Sequence, residues 1–549
     1  MSPRIRPVFS RVGDRLRRSL HRCVRIDTRT LAVFRVVVGL LVVADLLLRA
    51  RNFGFFYTDG GVVPQSLVLE TSATYPVSVY HLTTDPTLIA ALFVLQGLIA
   101  IQLIVGYRTR LATVLTFLFV ISLDHHNPFV LSYADTLFRL LLFWAIFLPL
   151  GERWSIDTVH ADREPRPYIA SVASALILLQ MVYMYATNGL IKSRSDVWTG
   201  GDAAPLVMGI HEMTFLLGDV VARFPALLEY GGLLWFVMLL GSPLLVLLRG
   251  RPRMLLVGLF VGGHLSFALT VRIGAFPYVA LAGVLLFLQG QFWDDLAAAA
   301  GRAGIDVDRL AARANRPAAV AKRVPDVSPR DERLGRIRAH AYTVSLGIVV
   351  VTIALVAAVV LFDVGAAVAD GGDQPLEDRV DGAVDDTLEE TAGVAQVETV
   401  ATSLGIDQPL GWGVFAGPDP RTTDRYYVFP AVTESGERVD AYNERPLTFD
   451  RPHGGELQAQ HDTYRERFYM NSVRRGGFSN DVPVRLAEHI CETWPGEHGE
   501  ELVRLELYVI EEEITHETVD EPADRDREYA AIYRHGCGDA EPGVVQEPE

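Results

Sequence analysis

The chain has 549 residues, half of them hydrophobic, with a mean hydropathy of +0.23 and a formal net charge of −16. That combination excludes an ordinary water-soluble fold, and the acidity argues against nucleic acid as a partner. Three cysteines are too few for a disulfide framework. Only Lys192 and Lys322 of the 50 basic residues are lysines, a bias that suits a salt-adapted (halophilic) source and equally a GC-rich coding sequence.

A basic cytoplasmic arm over 1–30 has nine arginines and runs into the first apolar stretch without a small-residue cleavage pattern, so no removable signal peptide is expected. A bilayer needs roughly 17–25 apolar residues per helix. On that measure, spans are predicted over 31–50, 86–106, 111–124, 134–150, 168–191, 226–248, 253–272, 276–291 and 342–363. The third, fourth and eighth are short, which leaves them open to tilting, re-entry or packing against protein. Arginine-rich loops recur at every second boundary (YRTR, GERWSIDTVHADREPRP, RGRPR), and the loop 292–341 adds nine arginines and Lys322. The positive-inside rule puts all of these in the cytoplasm. The loops 51–85 and 192–225 then face outward, and nine spans place the C-terminal third outside the cell.

After the ninth span, 364–405 reads as an acidic linker, with nine acidic residues against one arginine over 370–390. The remainder, 406–549, reads as an α+β domain. DRYYVFPAV and ELVRLELYVIEEEITHE are strand-like, and HDTYRERFYMNSVRRGG is helix-like. Cys491 and Cys537 both fall in this domain, so an extracytoplasmic disulfide between them is open. No internal repeat is evident. The fold class is mainly α: a polytopic membrane helix bundle of about 8+1 spans, in the cell membrane, followed by an extracytoplasmic α+β domain.

Charged groups inside spans are costly and face the bundle interior. Arg35 and Asp45 in the first span, and Asp135 and Arg139 in the fourth, read as structural charges that glue helices together, or as the walls of a polar cavity. Asp135 and Arg139 are spaced to share one helix face. His264 sits mid-span behind Gly262 and Gly263, either as an interhelical hydrogen-bonder or beside a closely approaching ligand. Arg272 ends that span where it can meet a substrate carboxylate or lipid headgroups. The Asp-His-His run at 124–126 has no further ligand set near it in sequence, so no metal site is expected. Walker, Rossmann, nucleophile-elbow and HExxH motifs are absent, which removes the corresponding enzyme classes.

Lys192 ends an apolar run in a chain that otherwise uses arginine. It admits two readings: a snorkelling anchor at a helix end, or an amine desolvated enough to lose its proton near neutral pH, which a guanidinium cannot do.

Two segments resemble the vitamin K-dependent gamma-carboxylase superfamily, in particular its microbial HTTM (horizontally transferred transmembrane) branch. They are GLIKSRSDVWTGGDA and HLSFALTVRIGAFPYVALAGVLLF, supported by FFYTDGGVVP and by YADTLFRLLLFWAIFLPLGERWSID. The resemblance covers about residues 25–300. It implies an HTTM/carboxylase-like transmembrane domain over 31–291 and a site on its outer side. Lys192 would be the base that deprotonates menaquinol or vitamin K hydroquinone, and His264 would steady developing negative charge. Trp198, Arg272 and Tyr278 would contact quinone or substrate, with O2 and CO2 as co-substrates of a lyase-type reaction. The substrate would be a protein or a lipid at the outer face. The chain departs from the animal enzymes in having one lysine, Ile191-Lys192-Ser193, where they have two. The alternative is a non-enzymatic quinone- or lipid-binding scaffold whose exterior domain recruits a partner.

Overall fold

The computed structural model describes residues 21–71, 78–161, 164–304, 321–322, 325, 332–369, 394–403, 419–453, 455–475 and 481–548. The basic arm up to residue 20, the acidic stretch 370–393 and most of GWGVFAGPDP lie outside the described residues.

A two-residue strand, β1 (Ile26–Asp27), precedes the first long helix, α1 (Thr28–Arg51). The Asp27 carboxylate caps α1 by accepting from the Arg29 backbone N–H at 2.8 Å. Helix α2 (Pro86–Val105) has Asp85 as its N-cap, proline at its first position and Gly106 in the left-handed conformation (φ 70°) beyond its end. Helices α3 (Thr109–His126) and α4 (Tyr133–Ala145) complete an antiparallel group, α4 opening with a Ser132–Asp135 capping box. Strand β2 (Tyr168–Ile169) pairs with β1 and leads into α5 (Val172–Lys192). Then come α6 (Pro225–Leu240), α7 (Arg251–Thr270), α8 (Phe276–Leu285), α9 (Gly290–Arg302) and α10 (Glu332–Ala369).

Among the described residues, five helical stretches are long and apolar enough to cross a membrane: α1, α2, α5, α7 and Ala339–Val359 within α10. A sixth is possible if α8 and α9, bent by 98°, form one crossing. Every stretch expected to span contains helix, but the bounds shift: α4 stops at Ala145 and α6 at Leu240, short of the expected 150 and 248, and two further shifts have a local cause. The stretch expected from 168 starts its helix at Val172, because Tyr168 and Ile169 are held by β1. The stretch expected to run to 291 ends at Leu285, and the chain turns before Gly290.

The C-terminal region is an antiparallel sheet packed with helices α11 (Tyr464–Arg474) and α12 (Asp481–His498). Its strands are β3 (Thr423–Val428), β4 (Pro430–Thr433), β5 (Arg438–Asp440), β6 (Arg445–Pro446), β7 (Leu502–Glu513) and β8 (Arg527–Gly536). Strand β7 is central, pairing with β3 and β4 along one side and β8 along the other. Alternation sends Tyr427, Phe429, Leu507 and Val509 to one face, where they meet Tyr469, Met470 and Leu486. Tyr426, Val428, Tyr508 and Ile510 form a separate cluster on the other face. Cys491 on α12 and Cys537 after β8 are joined in a disulfide.

The larger core runs without a break from the helix bundle into this domain. At the junction, Phe56 and Tyr469 lie edge to face at 5.2 Å.

Candidate functional site

Helix α5 holds one face of the site. Tyr185, Asn188, Gly189 and Lys192 fall at spacings of three and four, so they stack on one side of the helix. All four are buried. Gly189 belongs there because a Cβ would stand 2.9 Å from the Leu240 backbone nitrogen at the end of α6. Only glycine lets these two helices approach so closely.

Lys192 is the last residue of α5 and is 2% exposed. Its Nζ lies 4.6 Å from the centroid of the Trp198 ring, a cation–π arrangement. Ser195 holds Trp198 in place: its hydroxyl accepts from the Trp198 backbone N–H at 3.3 Å and donates to Asp419 at 2.6 Å. The start of the C-terminal domain therefore lies against the segment that carries Lys192.

Seven residues below Lys192, about 10 Å along the axis, Tyr185 meets α7. Its hydroxyl and His264 Nε2 are 2.7 Å apart. His264 is fully buried, and its ring is surrounded by those of Tyr185, Trp235, Phe267 and Phe276. Its other nitrogen, Nδ1, has no hydrogen-bond partner. Gly263 is pressed against Trp235, where a Cβ would stand 2.7 Å from the ring.

Two of the five residues expected at the quinone or catalytic site are thus in contact, Lys192 and Trp198. His264 joins them only through Tyr185 and the shared face of α5. Arg272 goes elsewhere: its Nη1 donates to the Gln458 carbonyl of the C-terminal domain. Tyr278, in the first turn of α8, stands 46% exposed. Tyr185 and Asn188 were not singled out from the sequence, although their spacing from Lys192 in YATNGLIK was a readable signal.

The charges expected inside the spans form a second constellation. Arg49 bonds Asp124 at 2.6 Å and Asp45 at 2.8 Å, and Arg139 bonds Asp124 at 2.8 Å. Asp135 accepts from Arg465 at 2.9 Å. Arg465 comes from α11 and also binds Asp45 and, at 3.2 Å, the Val130 carbonyl. Three carboxylates and three guanidiniums therefore meet, and one guanidinium arrives from the C-terminal domain. Arg35 is separate; it donates to the carbonyls of Leu150 at 2.9 Å and Arg153 at 3.0 Å and to Trp154.

A cavity of about 300 Å³ lined by Thr109, Gly151, Glu152, Asp157 and Thr158 opens at the other end of the bundle, and neither Lys192 nor His264 lines it. Among the described residues, no three His, Cys, Asp or Glu side chains converge as a metal site would require.

Compared with known families, residues 24–293 match the HTTM domain. No curated protein and no solved structure matches the chain.

Proposed function

We propose, from the HTTM domain at residues 24–293 and the apolar helices, that this membrane protein is a quinol-dependent oxygenase or carboxylase-like enzyme with Lys192 as its base. The observation that carries this reading is the setting of Lys192. One of only two lysines in the chain is buried against an indole, on the same helix face as a Tyr–His pair. Lys322, by contrast, is exposed.

Trp198 and Lys192 are the residues that would hold the head of a menaquinol at this end of the site. The half-buried Trp198 ring offers a stacking surface, and Lys192 Nζ stands over it at the outer end of α5. The isoprenoid tail of such a molecule would stay in lipid. The quinol, when bound, would supply reducing equivalents and an acidic hydroxyl. Lys192 would take that hydroxyl proton at Nζ, a step open to an amine and closed to a guanidinium. His264, closed in by rings, acts through Tyr185: it holds the tyrosine hydroxyl at Nε2 and keeps the lower end of the site dry. In the carboxylase version, O2 and CO2 are co-substrates and a protein or lipid at the outer face is the acceptor.

The outward orientation has separate support. The C-terminal domain touches the bundle at Asp45, Gly61, Phe129, Asp135, Glu212 and Arg272, all at boundaries predicted to lie outside. The arginine-rich loops meet one another at the opposite end, through Arg29–Asp294, Tyr107–Pro325 and Trp154–Trp293. The nine crossings expected from the sequence, with α10 as the ninth, would give the same sorting. The Cys491–Cys537 disulfide suits an oxidising compartment.

The second reading, a scaffold without catalysis, draws on Arg465. A C-terminal domain bound this firmly into the bundle could serve recruitment alone, and deletion of 406–549 would then abolish the phenotype while Lys192→Arg left it intact.

The test is to supply proteoliposomes of the full chain with menaquinol and O2 and to read products by mass spectrometry. Quinone epoxide above the level of empty liposomes is expected. Menaquinol recovered unchanged would remove the enzymatic reading.

A further inference from the structure

We propose that Arg272, Arg421 and Arg467 form a site for a phosphate oxyanion where the membrane domain meets the C-terminal domain, and that its source is the headgroup of an anionic phospholipid. This is independent of the quinol reading and uses none of its residues other than Arg272.

The three guanidiniums come from distant parts of the chain. Arg272 follows α7, its backbone N–H donating to the Met213 carbonyl at 2.6 Å and its Nη1 to the Gln458 carbonyl. Arg421 precedes β3; its Nη1 is 3.8 Å from Met213 Sδ and its Nη2 binds Glu212. Arg467, on α11, is 7% exposed, and its Nε has no hydrogen-bond partner. It lies in electrostatic reach of Arg272, Arg421 and Glu212.

Among the described residues, Arg421 pairs with Glu212 while Arg272 and Arg467 have no ion-pair partner, in a chain whose net charge is −16. The excess continues next door, where Arg425 at 2.5 Å and Arg474 at 3.4 Å share the single carboxylate of Glu511. His461 feels the same field: burial, with Arg467 and Arg272, pushes its pKa down to about 3, so it adds no charge of its own. A buried cation short of counter-charge is costly unless an anion joins it. Guanidinium forks match phosphate oxygens in geometry as well as charge.

The lipid source follows from what adjoins the arginines. Residues 214–224 run beside the outer end of α7, Thr214 bridging to Val271 and the Phe215 and Leu217 N–H groups donating to Thr270 and Leu269. This leaves Leu216, Val220 and Phe224 exposed at 67%, 49% and 57%. An apolar ledge beginning next to Met213 and an arginine cluster against the same residue together suit an amphiphile with a phosphate head.

The experiment titrates the full chain, stripped of lipid in neutral detergent, with dihexanoylphosphatidylglycerol and separately with inorganic phosphate, reading the thermal midpoint. The phosphatidylglycerol is expected to raise the midpoint saturably. Arg467→Gln and Arg421→Gln should each raise the half-saturating concentration about tenfold, the loss of one charge-assisted contact. Arg534→Gln, which removes an equal charge on β8, should leave it unchanged. Arg421 is the more exposed of the two, so its variant stands if Arg467→Gln does not fold. Protection by inorganic phosphate with the same arginine dependence supports the oxyanion site and names free phosphate as its source. Junction variants that titrate like the wild type, or an equal shift in Arg534→Gln, would overturn the proposal.

Discussion

His461 is buried in the C-terminal domain, with its Nδ1 2.9 Å from the Tyr442 hydroxyl. Burial and the neighbouring Arg467 and Arg272 lower its pKa from 6.5 to about 3. The folded chain therefore keeps this imidazole neutral at pH values where the unfolded chain protonates it. The resulting stability is full above about pH 6.5 and falls as the pH drops toward 3, by roughly 1.4 kcal/mol per pH unit for one proton. Glu466, whose carboxyl is raised chiefly by burial, works in the opposite sense just above the ordinary carboxyl value of 4.5, where the folded chain takes up that proton before the unfolded chain does. Below about 4.5 both states hold that proton, so the window free of that opposition runs from about 4.5 down to about 3. Thermal midpoints measured across it should fall for the wild type, and His461→Gln should flatten the slope. An unchanged slope in the variant would mean that another group sets the acid limit.

Helix α11 is bound into the bundle through Arg465, which holds Asp45, Asp135 and the Val130 carbonyl at once. Arg465→Met leaves buried carboxylates short of counter-charge, a loss of about 3–5 kcal/mol. Limited proteolysis should then release the C-terminal domain at protease levels the wild type resists; equal resistance would show that apolar contacts such as Phe56–Tyr469 suffice. Sequence spacing could put Asp135 and Arg139 on one helix face, but not foresee a partner more than 300 residues away. The bundle helices were legible because each apolar run is long and local. The β1–β2 pair was not, since two residues at 26–27 and two at 168–169 give no periodic signal. The break before Gly290 was hidden inside an apolar run for a related reason: run length reports burial, not direction. Strands β3, β4 and β7 could be read from clustered β-formers, whereas β8, an edge strand with exposed Glu528 and Ala530, has little apolar alternation to read. At the candidate site, Lys192 stood out by its rarity and Trp198 by its nearness in sequence. The Tyr185–His264 bond depends on how α5 and α7 pack, which no local pattern encodes.

At the scale of the molecule, two ends of one bundle have different chemistry: arginine-rich loops at one, the C-terminal domain and Lys192 at the other. If the basic end is cytoplasmic, a membrane-impermeant maleimide should label Lys322→Cys only in broken cells and Glu528→Cys in intact ones; both positions are exposed, and the native Cys23 is buried. The reverse pattern would invert the orientation and move the candidate site to the cytoplasm. Catalysis is the claim on which the rest of the functional account turns. Oxygen uptake by menaquinol-loaded proteoliposomes, compared between the wild type and Lys192→Arg at equal amounts of folded protein, tests it most directly. Uptake by the wild type that drops to the empty-liposome level in the arginine variant is the predicted result; equal uptake in both would contradict a proton-accepting role for Lys192.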